Sequence, residues 1–239
     1  MSGWFTEDEY RDLVAQAAQR FEFVGYSALA PDAPHVLWRH DVDMSMHRAA
    51  KLAQIEADVG VRATYFVHLH SRFYNAFEPE IVQLIAKIAN FGHWIGLHAD
   101  PQTARPGRDV SDQLNLERTL LAEVAGVAVD AVSFHDPDLG GLDESDVVSE
   151  MTNASSTRLR EAYRYCSDSN GIWRFQPLLA LLNAPDIGDL HVLTHPEWWT
   201  PEPLTPRARV QRCIAGRAAR QGRAYDAKLA EIGRPNLGS

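Results

Sequence analysis

Short apolar runs alternate along this chain with stretches of helical periodicity. Thr6-x-x-Glu9 has the form of a capping box, and the apolar positions behind it predict a helix over residues 6–20. Val36-Leu37-Trp38 predicts the first strand, which runs into Arg39-His40-Asp41. A helix from Met46 to Val59 follows and is stopped by Gly60. Ala63-Thr64-Tyr65-Phe66-Val67 predicts the second strand, and Ile81, Leu84, Ile85 and Ile88 mark a helix over residues 79–90. Trp94-Ile95-Gly96-Leu97, a helix over residues 110–124, and Ala131-Val132-Ser133-Phe134 continue the alternation. Tyr163-Arg164-Tyr165-Cys166 and Leu190-His191-Val192-Leu193 are the later strands, and residues 138–156 read as a long polar loop. Strands alternating with helices predict parallel βα units closed, or partly closed, into a barrel. No repeat or linker interrupts the pattern, so residues 1–239 are expected to form one domain with a C-terminal helix over residues 205–232.

Nearly every predicted strand ends in His or Asp. The first ends Arg39-His40-Asp41-Val42-Asp43, and the second is followed by His68 and His70. The third ends in His98 and Asp100, the fourth in His135-Asp136-Pro137, and the last in Thr194-His195-Pro196-Glu197-Trp198-Trp199. A βα barrel carries its site at these strand ends. So many ionisable groups at one mouth imply a metal or mutual pairing. Asp41 and Asp43 are two apart and face the same way on a strand, so one can bind a cation while the other works as a base. Arg39 shares that face and is expected to hold Asp41 ionised. Gly96, just before His98, is expected to let the backbone come close to a bound group. One Asp with His ligands suits Zn²⁺ or a similar divalent ion with an open position for water.

Composition narrows the classes. The chain has 239 residues, 45% apolar and 23% charged, with a net charge of −9. That is a globular composition with no general footprint for nucleic acid. No apolar run approaches the ~20 residues of a transmembrane span. The acidic stretch from Thr6 to Glu9 is unlike a secretory signal, so a cytoplasmic location and two reduced thiols, Cys166 and Cys213, are expected. Arg207, Arg209, Arg212, Arg217, Arg220, Arg223 and Lys228 make the last helix basic on an acidic body, where it can dock or meet a partner.

The ordered set Arg39-His40-Asp41-Val42-Asp43, Gly96-Leu97-His98, Ser133-Phe134-His135-Asp136-Pro137, Ser167-Asp168-Ser169-Asn170-Gly171-Ile172-Trp173-Arg174 and Leu193-Thr194-His195 resembles the polysaccharide deacetylase superfamily with its NodB homology domain. The likeness runs from Val36 to Trp199 and is closest to the branch found among bacterial surface-polysaccharide genes. It implies a distorted (β/α)7 barrel, one divalent metal and removal of an N-acetyl, less often O-acetyl, group from a sugar. Zinc is the first expectation, with cobalt, manganese, nickel or ferrous iron as alternatives. Residue by residue, the resemblance implies Asp41 as catalytic base, Asp43 as metal carboxylate, His98 as metal ligand and His195 as general acid oriented by Asp168. Trp173 falls where the family has a Trp that walls the groove. Arg174, Asn170, Trp198 and Trp199 are the further substrate-binding candidates, the two tryptophans as stacking faces or as plugs of the mouth.

The sequence departs from the family pattern at Gln102, where a second metal His is usual. His135 ends the next strand, ~4.8 Å away, and is the expected third ligand, with His195 as the competing candidate. Arg39 is expected to replace the family's arginine partner for the base. His93 reads as structural, and His40 as alternating away from the site with a supporting role still open. An acetylated sugar precursor is the expected substrate. Hydrolysis of a non-sugar amide such as a ureide, or an inactive carbohydrate-binding barrel, are the alternatives.

Overall fold

The computed structural model of the chain describes residues 4–27, 32–103, 109–135 and 145–237. In chain order the elements are α1 (Glu7–Ala18), β1 (Glu22–Phe23), β2 (His35–Val42), α2 (Met46–Val59), β3 (Thr64–Val67), α3 (Pro79–Asn90), β4 (Trp94–Ala99), α4 (Val110–Ala125), β5 (Val129–Phe134), β6 (Val147–Val148), β7 (Met151–Asn153), α5 (Thr157–Ala162), β8 (Arg164–Ser167), α6 (Leu178–Leu182), β9 (Leu190–Thr194) and α7 (Pro206–Glu231). The helix signals act as expected. The Thr6 hydroxyl accepts from the Glu9 amide, while the Glu9 carboxylate reaches back to the amide of Phe5. Gly60 ends α2 in the left-handed region at φ 87°, where a side chain would be strained. Ile81, Ile85 and Ile88 are the buried face of α3.

The sheet runs β6-β7-β5-β4-β3-β2-β9-β8, with β1 beside β2. Among the described strands every pairing is parallel except β6 on β7. This is the expected α/β architecture, and its outer strands are not joined by hydrogen bonds among the described residues. The sheet nevertheless curves far towards closure. Arg39 on β2 donates to the carbonyl of Ala154, just past β7, at 3.1 Å. Those strands are four steps apart, about 19 Å in a flat sheet, which is beyond an arginine side chain.

Parallel pairing brings every strand's C-terminal end to one side. All eight residues of β2 are buried, as in a strand covered on both faces. Val36, Trp38 and Val42 face the main core, while Leu37 packs with Val24 and Leu159 in a separate inner cluster. Residues 145–156, expected as loop, hold the β6–β7 hairpin and its exit. Residues 138–144 of that loop, and Asp136 and Pro137 of the fourth strand-end motif, lie outside the described residues. Gly96 is corrected in role: a Cβ there would meet the Phe66 ring at 2.5 Å, so the glycine admits a core aromatic rather than a ligand.

Candidate metal centre and acid–base cavity

Side-chain alternation along β2 turns Arg39, Asp41 and, just beyond the strand, Asp43 inward. With His98 from β4, His135 after β5 and His195 after β9 they line a cavity of about 350 Å³. Asp43, His98 and His135 each offer a ligand atom within 4.8 Å of the others. Asp43 Oδ1 lies 3.1 Å from His98 Nε2 and 3.7 Å from His135 Nδ1. It is buried, yet neither contact has the geometry of a hydrogen bond, and the oxygen has no partner. A buried carboxylate oxygen in that state is costly. A cation among these three atoms would satisfy it, and the N,N,O donor set suits zinc.

Ser133 explains how His98 is aimed. It is the register partner of His98 across β4 and β5. Its hydroxyl is 2.7 Å from His98 Nδ1 and donates to Asp41 Oδ1 at 3.4 Å. A hydroxyl that gives its one proton to Asp41 must accept from His98 Nδ1–H, which leaves Nε2 bare towards Asp43. Burial lowers the pKa of His98, but the charges of Asp41 and Asp43 outweigh it and the net shift is upward. Asp43 is the reverse. Burial raises its pKa, and His98, then His195 and His135, hold it well below the carboxylate range. The pocket thus draws positive charge, a proton where no cation competes.

Asp41 is 3% exposed, and Arg39 Nη2 lies 3.3 Å from its Oδ2. Across the cavity Asp168 is fully buried and accepts from His195 Nδ1 at 2.7 Å, from the His195 amide at 3.0 Å and from the Trp199 indole at 2.9 Å. Burial lowers the pKa of His195, but Asp168 and then Asp43 dominate and push it up to about 10. The ring is therefore protonated at neutral pH, and with Nδ1 held, Nε2 is the atom free to give a proton.

The remaining candidates separate. Asn170, Arg174 and Trp198 line the same cavity. Trp173 is not among its lining residues and stacks on Phe5 at 5.4 Å. Trp199 is wholly buried between Phe5, Tyr10 and Trp173, so it braces Asp168 instead of offering a sugar-stacking face. A neighbouring recess is lined by Asp43, His68, His70, Asp100, Gln102 and His135. Burial, then His98, lowers the pKa of His68 to about 4, and its ring stacks on His135 at 5.2 Å. His70 pairs instead with Glu117 at 2.8 Å. His93 is buried and satisfied by the Ala63 amide and the Ala53 carbonyl. Sequence reasoning missed Ser133 as a partner of His98, and missed Tyr165 and Glu197 in the cavity wall. Glu197 had a visible signal, since it follows His195 at a strand end.

No protein-family model matches the chain, and no curated protein matches it. Among solved structures it is similar to a CE4 family pseudoenzyme from Bacillus anthracis, with a TM-score of 0.46 and 16% identity over 81% of this chain and 63% of that one. It is also similar to the Xyl-CE4 domain of a multidomain xylanase from the hindgut metagenome of Trinervitermes trinervoides (TM-score 0.45, 11% identity, 78% of this chain, 83% of that one). A family 4 carbohydrate esterase from Bacillus anthracis gives a TM-score of 0.44 and 15% identity over 95% of this chain and 87% of that one. The chain thus spans less than two thirds of the pseudoenzyme's length.

Proposed function

We infer that the protein is a metal-dependent hydrolase that removes an acetyl group from the nitrogen, or less often the oxygen, of a sugar. The observation that carries this is the unpartnered, buried Asp43 Oδ1, with His98 Nε2 and His135 Nδ1 turned towards it. A divalent ion held by those three residues supplies Lewis acidity towards an acyl oxygen and a lowered pKa for a water. Asp41, oriented by Ser133 and Arg39, accepts the proton of the attacking water. As the water oxygen bonds to the acyl carbon and the carbon–nitrogen bond breaks, His195 gives its Nε2 proton to the leaving nitrogen. Asp168 holds the ring throughout and stabilises its charge. The products are acetate and the free amine. Asn170 and Arg174 would meet the sugar through its hydroxyls, while Trp198, buried in the core, walls the cavity. The sugar class rests on the resemblance of Arg39–Asp43, Gly96–His98 and Leu193–His195 to the polysaccharide deacetylase motifs.

Elemental analysis and an acetate-release assay on a panel of acetylated sugars test this together. The purified protein is expected to hold one equivalent of a divalent ion, zinc first. Asp43→Ala is expected to lose both metal and turnover. An Asp43→Ala protein that keeps stoichiometric metal overturns the ligand assignment.

A further inference from the structure

A second cavity, of about 250 Å³, opens where α7 packs across the start of α2, on the other side of the segment that carries His195. That is smaller than the ~300 Å³ at which whole-ligand pockets begin, so it fits a group rather than a sugar. Arg48, Arg209, Arg212, Arg220 and His47 line it, together with Glu197.

Two guanidinium donors and one imidazole nitrogen at it are unmet. Arg209 is 3% exposed, and although its Nη2 donates to the Trp4 carbonyl at 2.7 Å, its Nε has no partner. Arg220 Nε is buried and also unpartnered, with the nearest carboxylate oxygen, on Glu80, at 3.9 Å. His47 uses Nε2 on Glu80 at 2.9 Å, and its buried Nδ1 meets nothing. Buried, unpaired guanidinium nitrogens are not left so in a packed interface without a ligand or water to take them.

Charge agrees. Glu7 and Glu202, which pair with Arg48 and Arg212, are not among the lining residues, and neither is Glu80. Burial outweighs the charge of Glu7 at Arg48 and of Glu9 at Arg209 and holds both arginines below their usual pKa range. Glu197, the one acid in the wall, is 1% exposed, and neither of its oxygens has a partner. Burial, then the charge of Asp43, pushes its pKa well above the carboxylate range.

Glu197 also lines the reaction cavity, and is the one residue common to both linings. Arg48 donates through Nε and Nη2 to the carbonyl of Trp199, so an arginine of this cavity is tied to the segment that bears His195. We propose that the cavity between α7 and the start of α2 binds a phosphate of the substrate, and that the sugar deacetylated is a phosphorylated precursor. This rests on the deacetylase reading for the sugar, while the anion site stands on its own residues. Phosphate is the shared chemistry of a nucleotide-linked and a lipid-linked sugar.

Calorimetry with inorganic phosphate, in chelator, reads the site apart from catalysis. Binding is expected in the native protein and in Asp43→Ala, and is expected to be lost in the Arg212→Gln/Arg220→Gln double variant, whose two side chains are partly exposed and away from the core. Absence of phosphate binding, or binding that survives the double variant, overturns the site. In the metal-loaded enzyme, N-acetylglucosamine 1-phosphate is expected to have a lower KM than N-acetylglucosamine, and the double variant to erase that preference, by about tenfold or more. Phosphate is expected to inhibit the phosphorylated sugar competitively. Inhibition equal for both sugars and non-competitive would mean a regulatory anion, and would overturn the substrate assignment. A nucleotide diphosphate sugar and an isoprenyl-phosphate sugar, compared in the same assay, separate the two sources. If phosphate binds as described but no acetylated sugar is turned over, the deacetylase reading fails and the anion site remains.

Discussion

Strand β2 carries two polar clusters, one on each face, that differ in how completely they are satisfied. On the helix side, Glu56 of α2 is wholly buried and takes the hydroxyls of Tyr10 and Tyr65 and Nε2 of His40, the last at 2.6 Å. Trp38 donates to the Tyr10 hydroxyl, and His40 Nδ1 lies 2.7 Å from the Thr194 hydroxyl. Burial raises the pKa of Glu56, but His40 outweighs it and the carboxyl is held below its usual range, while both tyrosines are pushed well up. On the inner side Asp43 Oδ1, Arg39 Nε and both oxygens of Glu197 are buried with no partner. Side chains one residue apart, His40 and Asp41, therefore belong to a closed network and an open one. Buried polarity that is fully paired rigidifies a core. Buried polarity left unpaired around a cavity is where a ligand, an ion or a reacting water completes the set.

The comparison predicts that damage to the two faces reads out differently. Asp41→Asn keeps the shape but cannot take a proton, so kcat is expected to fall by ~10²–10⁴, with metal content and Tm little changed. Metal loss in that variant would instead make Asp41 a ligand and reverse the roles of the two carboxylates. On the helix face, Glu56→Gln leaves His40 and two buried hydroxyls facing an amide. Removing one partner of a buried charged network is expected to cost ~3 kcal/mol, a fall in Tm of roughly 6–12 °C at this size. Metal stoichiometry should be unaffected. A Glu56→Gln protein with native Tm and lost turnover would put that network in the site.

How far the site was legible depended on what the backbone dictates. Parallel strands put their C-terminal ends on one side whatever the loops do, so Asp41, Asp43, His98, His135 and His195 could be brought together from strand ends alone. The two-residue period also separated His40 from Asp41 correctly. What was not legible depends on packing between distant segments. Trp199 looks like a sugar platform in sequence, yet Phe5 and Tyr10 from the N-terminus cover it. The arginines of α7 read only as a basic helix that can dock or meet a partner, and docking onto α2 and α3, where Arg217 meets Glu78, is what separates the buried Arg209 from its exposed neighbours. Helices α5 and α6, of 6 and 5 residues, are too short for periodicity to register.

The pH dependence tests the open face more finely. The His195 pKa of about 10 in the folded protein exceeds the ordinary 6.5. Its protonated ring therefore stabilises the fold fully below pH 6.5, and that contribution is lost as pH rises through about 10. The same proton is the one donated in the reaction, so activity is expected to fall on the alkaline side with that pKa. Asp168→Asn removes the largest upward influence and leaves burial, which lowers the pKa. The alkaline limb of the kcat/KM profile should then move down by about 1–3 pH units. A limb that does not move would place the general acid elsewhere.

The smallest expected effect belongs to Ser133, which touches no substrate and would touch no ion. Its hydroxyl lies between His98 Nδ1 and Asp41 Oδ1, at 2.7 and 3.4 Å, and so couples the ligand to the base. Ser133→Ala removes the acceptor that fixes the His98 tautomer, and the ring can then carry its proton on Nε2, facing Asp43, where a cation must displace it. Loss of such a supporting partner costs ~10–100-fold in metal affinity or activity. The buried serine is small, so the fold should tolerate the alanine with little change in Tm. The informative measurement is metal affinity against pH. If Ser133 sets the tautomer, the variant should bind metal more weakly at every pH, and Ser133→Thr, which restores a hydroxyl, should recover most of the loss. Native affinity in Ser133→Ala would show that β4 backbone geometry alone aims His98, and the inner face of β2 would then need no hydroxyl relay to present its open lone pairs.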